Sequence, residues 1–414
     1  MTWLSTLVVF LVSAQPAPCL SQALPRHALS RVATGQADAR LPAPDRRAPT
    51  NPSTAQPVSQ GAPNARLIPD VSLVGDLIAD LSPNGATQED GTRLGVREIE
   101  LALQAAVDPS FRGDVFIGFS DAEGVGIEQA FMTATSLPWQ LEMRLGRFLA
   151  PVGKQNITHR HDLHTVDHAL ITQRVLGEEG LKGTGVWLGR IFAPFGFYQE
   201  LIVTATERLG EAPEDLVTAE PTSRDLGDLA YSARLRNYWD LSNASNVEVS
   251  GSVLTGLRER PAVQPQGDIN AVAMRQTTYG ADVTFRWRPP QQGLYRSFIL
   301  QAEYLAQLNE GGVFGLPEGP VEPTVLADVA GYYIFGRYQV SRRGYLGARF
   351  DTLDDPEFDG ERTTAWSAYY QFYPSEFSKI ITKFERVSPT GLTAFNRFVL
   401  QATFALGPHK PHPF

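Results

Sequence analysis

The sequence predicts an all-β fold: a transmembrane antiparallel β-barrel of about sixteen strands, carried by residues 66–414 behind a disordered N-terminal extension. Three observations predict it. Apolar and polar residues alternate with period two from Arg66 to Leu406, charged residues stand in mid-strand on the polar parity, and tight turns contrast with long polar loops.

The chain opens on "MTWLSTLVVFLVSAQPAPCLSQA", whose apolar core from Trp3 to Val12 is too short to span a bilayer as a helix. Small residues follow, ending in Ser21-Gln22-Ala23. This is the pattern of a secretory signal peptide over residues 1–23, although its first residues carry no Lys or Arg. The single cysteine, Cys19, falls inside it, so an exported mature chain would hold no disulfide. Residues 24–65 are rich in Pro and Ala and almost without aromatics, a composition that buries too little apolar surface to offset the entropy of ordering. Beyond Val12 no stretch approaches the roughly 18 to 20 apolar residues of a spanning helix. A soluble exported protein and an outer-membrane barrel remain.

Within residues 66–414 the alternation is explicit. In "REIELALQAAV" one parity holds Ile99, Leu101, Leu103, Ala105 and Val107, and the other holds Glu98, Glu100, Ala102, Gln104 and Ala106. Only a strand puts these sets on opposite faces. In "TTYGADVTFRWR" the apolar parity is Thr277, Tyr279, Ala281, Val283, Phe285 and Trp287, against Asp282, Thr284, Arg286 and Arg288. In "NRFVLQATFAL" it is Phe398, Leu400, Ala402, Phe404 and Leu406, against Arg397, Gln401 and Thr403. Tilted strands of about nine to eleven residues suffice to cross a bilayer.

A soluble β-sandwich alternates too, so the contents of the polar face decide. Glu142, Arg144, Arg234, Arg236, Asp282, Arg286, Arg288, Arg337, Arg349 and Lys383 lie on it, which fits a water-filled lumen and makes these the expected pore-lining residues. Trp139, Trp239, Trp287, Tyr295, Tyr332 and Trp366 resemble interfacial girdles. Tight turns are expected at "DPSFRG", "PPQQG" and "SRRG", and long loops around 154–182, 206–226, 259–274 and 309–328. The net charge of −9 argues against nucleic acid as a partner.

Residues 159–168 read "HRHDLHTVDH" and hold four of the seven histidines. Read as helix, His161, His164 and His168 share a face and could hold zinc, with Asp162 or Asp167 as an oxygen ligand or a ring-orienting partner. Read as extended chain, His159 and His161 share one instead. The alternative to metal is structural: the segment follows the fifth strand, and a long loop there could fold inward and narrow the pore, with His159, His161, His164 and Asp167 as its polar anchors. His409 and His412 suit a flexible tail. No serine or cysteine nucleophile accompanies the Asp-His pairs, so no catalytic residue is assigned and no enzyme activity is expected. A receptor barrel of about 22 strands with a folded plug needs a longer chain.

The stretches "LEMRLGRFLAPVGKQN", "HRHDLHTVDHALI" and "LGEEGLKGTG" resemble outer-membrane proteins related to the phosphate-selective porins O and P. Gly146-Arg147-Phe148 matches the end of a strand in that family, Pro151-Val152-Gly153 its following turn, and His159, His161, Val166 and Asp167 its next loop; "GYLGARFD" fits as well. The resemblance implies a porin of the outer membrane, bathed in its lipid, through which small hydrophilic or anionic solutes diffuse passively. The lysines associated with phosphate selectivity in that family give way here to arginines, and acids share the lumen parity. A homotrimer is compatible with the family's habit. Phe404 or Phe414 would supply the C-terminal aromatic for the barrel-assembly machinery. Metal uptake through the His-rich loop is the alternative function, and zinc the one cofactor considered.

Overall fold

A computed structural model describes residues 69–87, 91–120, 124–207, 217–218, 226–263, 269–309, 328–354 and 362–407. The expected signal peptide, the extension 24–65, His409, His412 and Phe414 lie outside the described residues.

Sixteen strands close on themselves. They are β1 (Asp70–Asp80), β2 (Leu94–Ala106), β3 (Phe111–Ser120), β4 (Gly124–Ala134), β5 (Leu141–Leu149), β6 (Lys182–Phe192), β7 (Tyr198–Thr206) and β8 (Ala230–Ser242). There follow β9 (Ser245–Val263), β10 (Ile269–Trp287), β11 (Phe298–Asn309), β12 (Val329–Gln339), β13 (Gly344–Asp354), β14 (Thr363–Ser375), β15 (Ser378–Pro389) and β16 (Phe395–Leu406). Each strand pairs antiparallel with its chain neighbours, and β1 seals the ring against β16 in a register running from Leu73↔Leu406 to Asp80↔Val399. A two-residue segment, Val217–Thr218, pairs in parallel with Asn270 and Ala271 as an addition to this ring. The chain is thus an antiparallel barrel with no free edge, the arrangement that lets strands cross a bilayer with every backbone group paired.

The period-two pattern sorts as the pleat requires. On β16, Val399, Gln401 and Thr403 are buried inside while Phe404 and Leu406 are exposed outside. On β10, Asp282 and Thr284 are buried and Tyr279 and Val283 exposed. The connections 107–110, 135–140, 193–197, 243–244, 288–297, 340–343 and 376–377 share one end of the barrel. The strand ends that the longest connections join, Asp80 and Leu94, Leu149 and Lys182, Thr206 and Ala230, Asn309 and Val329, share the other. Trp139, Trp239, Trp287 and Tyr295 sit at the short-turn end and Tyr332 and Trp366 near the long-loop end, as two girdles would.

One expected loop is corrected. The stretch 259–274 is mostly strand: β9 and β10 each run 19 residues, paired from Ser245↔Trp287 to Val263↔Ile269. Pro and Gln in that stretch read as loop composition, but a two-stranded ribbon needs only backbone pairing, which most residue types can supply.

The barrel is not hollow at mid-height. Residues 150–181 between β5 and β6 turn into the lumen and carry the short helix α1 (Leu170–Leu176). Val152, Val166, Ala169, Ile171, Val175 and Leu176 are fully buried there against Leu305, Val329, Tyr333, Phe335, Tyr369, Ile381 and Val399 of the wall. In α1 the apolar residues Ile171, Val175 and Leu176 fall on one face, and Gly177, with φ of 90°, ends the helix in a conformation that favours glycine. Gly331 lacks a side chain where Ile171 presses on β12, and a Cβ would meet both Ile171 and the Thr352 carbonyl.

Candidate functional site: the inward loop and the passage beside it

The loop is tied at its neck, its near side and its far side. At the neck, Asn156 Nδ2 donates to the carbonyls of Ala150 (2.7 Å) and Leu181 (3.1 Å), and its Oδ1 accepts from Leu181 N at 2.7 Å. One buried amide thus holds together the two chain ends that enter the lumen.

On the near side Gly153, at φ 64°, turns the backbone so that its carbonyl accepts from Arg234 and its N–H donates to Ser252 Oγ at 3.1 Å. Lys154 N and Gln155 N donate to the Glu303 carboxylate at 2.9 and 3.3 Å, and Lys154 Nζ lies 2.6 Å from Glu248. Burial lowers the Lys154 pKa, with Glu248 opposing that shift.

On the far side Asp167 reaches Lys383 Nζ at 2.6 Å, Arg349 at 3.4 Å and Arg397 at 3.7 Å. Burial opposes its charge, but these three cations prevail and hold the carboxyl well below the ordinary aspartate value. Lys379 donates to the carbonyls of His161 and Leu163, Arg97 to that of Val166, Gln371 to that of His164, and Asp351 accepts from Leu170 N at the start of α1.

The expected pore-lining residues divide accordingly. Arg234, Asp282, Arg337, Arg349 and Lys383 face inward, but all are at most 3 % exposed, so they anchor or pack beneath the loop and do not border open water. Arg234 pairs with Asp282 at 3.0 Å, and Arg337 stacks 4.6 Å from the Tyr345 ring and bonds Gln371. Arg144, Arg236 and Arg286 keep 34, 37 and 35 % side-chain exposure, enough to meet solvent. Glu142, paired with Arg144 at 2.8 Å, is likewise exposed. Arg288 is a correction. It lies past the end of β10, in the exposed turn, where its Nε donates to the Gly293 carbonyl at 3.0 Å.

Open space persists on the β7–β10 side as a cavity of about 440 Å³. Tyr198, Glu200, Arg236, Tyr238, Glu248 and Arg286 border it. Its charges come as pairs, Arg236 to Glu200 at 2.7 Å and Arg286 to Glu248 at 3.4 Å, so solutes would meet both signs at once. Glu200 and Glu248 escaped the sequence reading, which weighed arginines more closely than their partners across the strand. The alternation of β7 and β9 was the signal that could have found them.

The histidines separate. Residues Arg160–Asp162 form only a 3₁₀ turn, and the chain around them is irregular, so the helical face assumed for His161, His164 and His168 does not exist. His164 stacks on Phe335 with ring centroids 6.4 Å apart, and His168 Nδ1 lies 2.8 Å from the Glu178 carbonyl. The three rings are therefore not gathered on one helical face. Burial depresses both rings, together with Arg337 and Lys379 for His164, while the His168 pKa falls to about 4. His159 stands apart from them, its Nδ1 2.7 Å from Glu100. Burial works against its charge, yet Glu100 raises its pKa to about 9.

No family model matches the chain. A protein of Aquifex aeolicus (strain VF5), itself described as uncharacterized, is 27% identical over 338 residues, covering 76% of this chain and 69% of the relative. Among solved structures, OprB of Pseudomonas putida superposes with a TM-score of 0.54 at 10% identity, covering 82% of this chain and 94% of that one. OmpT of Vibrio cholerae, an outer membrane protein in its trimer form, gives 0.51 at 11% over 82% and 100% of the two chains. The outer membrane channel DcaP of Acinetobacter baumannii gives 0.50 at 13% over 83% and 99%. The chain has the fold of the outer-membrane β-barrel porins.

Proposed function

We propose that the protein is a porin-like channel of the outer membrane that lets small hydrophilic or anionic solutes diffuse down their gradients. The observation that carries this reading is the closed sixteen-strand barrel, in which the inward loop 150–181 is anchored on both sides of the lumen and narrows it, while a cavity lined by Arg236 and Arg286 stays open. Diffusion through such a passage is selected by radius and by the fixed charges that replace part of a solute's hydration. The reading assigns no catalytic role to any residue and needs no cofactor.

The motifs Gly146-Arg147-Phe148 and Pro151-Val152-Gly153 support kinship with the phosphate-selective porins O and P, but the paired acids Glu200 and Glu248 favour a general pore over a phosphate-selective one. In this reading lipid covers the apolar outer face, the barrel-assembly machinery inserts the chain, and a homotrimer is the working assembly. Purified protein in planar bilayers should give stepwise single-channel currents. Silence across several salts, from protein whose barrel is shown to be folded, would sink the proposal.

A further inference from the structure

We propose that Glu100 of β2, together with His159 and His161 of the inward loop, forms a binding site for a single divalent transition-metal ion of the zinc class, which bolts the loop to the barrel wall. Here the ligand atoms of all three side chains lie within 4.8 Å of one another. Two imidazoles and one carboxylate are a donor set that zinc takes, leaving a fourth position for water or for Asp162, whose Oδ1 is 3.8 Å from His161 Nε2.

The geometry is near, but not at, coordination. Tetrahedral zinc with bonds of about 2.0 to 2.2 Å holds its nitrogen and oxygen ligands roughly 3.3 Å apart. His159 Nδ1 and Glu100 Oε2 are 2.7 Å apart, so the ion enters by opening that contact by about 0.6 Å and drawing His161 toward it. The His159 and His161 rings already lie 5.4 Å apart, centroid to centroid, and a small cavity beside them is bordered by Glu98, Glu128, Arg160 and Glu179. His159 is held from its other nitrogen, where Gln129 Nε2 donates to Nε2 at 2.8 Å; this leaves the ring proton on Nδ1 toward Glu100, and an ion binding there displaces that proton.

Charge supplies an independent argument. Glu98, Glu100, Glu128, Asp162 and Glu179 gather around the site, while the permanent cations are Arg160, Lys182 and Lys379. With His159 neutral, as a metal ligand must be, five carboxylates face three cations, and one divalent ion supplies the two positive charges that are missing. Buried carboxylates demand such compensation because a low-dielectric interior penalises unpaired charge. None of this depends on solutes passing the barrel, so the site stands or falls separately from the channel reading.

The test uses the full chain refolded in detergent, with zinc chloride as the only added metal and cobalt(II) chloride as a spectroscopic stand-in. Calorimetry should find a single zinc per chain, and cobalt should give the intense visible absorption of a low-coordinate nitrogen and oxygen site. His161→Ala and Glu100→Gln should each weaken zinc by about tenfold or more, whereas His164→Ala, in the same loop but outside the trio, should leave affinity unchanged. Failure of the folded wild-type chain to bind either metal overturns the proposal. Binding that survives both trio variants, or that depends on His164, overturns it equally. Should a trio variant fail to refold, the cobalt spectrum of the wild type still decides.

Discussion

The carboxylate of Asp167 lies 2.6 Å from the ammonium of Lys383, and 216 residues of chain separate them. Lys383 is wholly buried on β15, with Glu385 at 2.9 Å and Arg349 and Arg397 nearby. Asp167, Asp351 and Glu385 balance Lys383, Arg349 and Arg397 charge for charge. A loop residue is therefore one third of the negative charge in a sealed network of the wall.

Asp167→Asn leaves that network one cation in excess. Breaking a buried pair by removing one partner costs about 3 to 5 kcal/mol, and here the loss falls on loop docking. The variant should show larger and noisier single-channel conductance than wild type while its barrel stays folded by heat-modifiable gel mobility. Unaltered conductance would mean that the loop does not limit current.

Gly331→Val tests the steric side of the same docking. A side chain at Gly331 presses on Ile171 of α1 and still closer on the Thr352 carbonyl of β13, so it loosens α1 and strains the wall together, whereas a change at Ile171 touches the loop alone. Ile171→Ala removes the matching knob, at about 2 to 5 kcal/mol for a buried Ile. Both variants should speed proteolysis within 150–181, read by mass spectrometry of the fragments. Equal protection of variant and wild-type loops would contradict the packing described.

The loop should weaken as the medium is acidified. His164 and His168 are held neutral by burial, His168 down to about 4, whereas an undocked histidine titrates near 6.5. The undocked loop thus binds more protons at these two rings below that value, and their share of docking, complete above pH of about 6.5, is lost progressively toward about 4; His159, raised to about 9, acts in the opposite sense, its share fading as pH rises from about 6.5 to about 9. Conductance or gating noise should rise across the acid window. In the double variant His164→Gln, His168→Gln the rise should be smaller, and an unchanged profile would show that other groups govern it.

Ion preference should follow the cavity pairs. Arg236→Glu and Arg286→Glu each replace a positive partner beside an existing acid, Glu200 or Glu248. Reversal potentials in a salt gradient should move toward cation selectivity in both. Glu200→Gln should move them the other way. Insensitivity to all three would place the conducting path elsewhere in the lumen.

The barrel was legible because lipid outside and a different environment inside impose a strict period of two on every crossing segment, as at Ile99 to Val107 and Phe398 to Leu406. The loop was legible only as polar and as following the fifth strand. Its inner apolar face, Val152, Val166, Ile171 and Val175, is spread over 24 residues without a regular period, so no pattern announced a core inside the lumen. Its partners lie on strands up to 218 residues away, a pairing that spacing cannot reveal. For the same reason histidine spacing did not show which side chains meet. Helical periodicity joined His161, His164 and His168, whereas the residue that meets His159 and His161 is Glu100, in a strand some sixty residues earlier.

The seam between β1 and β16 sets an order on the making of this molecule. One edge of its first strand pairs with β2 at once, but the other has no partner until the last strand has been synthesised, and Asp167 finds Lys383 only when the chain has passed nine-tenths of its length. Until then two raw sheet edges and the greasy side of the loop are exposed together, the condition in which β-rich chains stick to one another. A chain cut short before Phe395 would accordingly keep both edges open, and the hazard vanishes only with the dozen residues of the last strand.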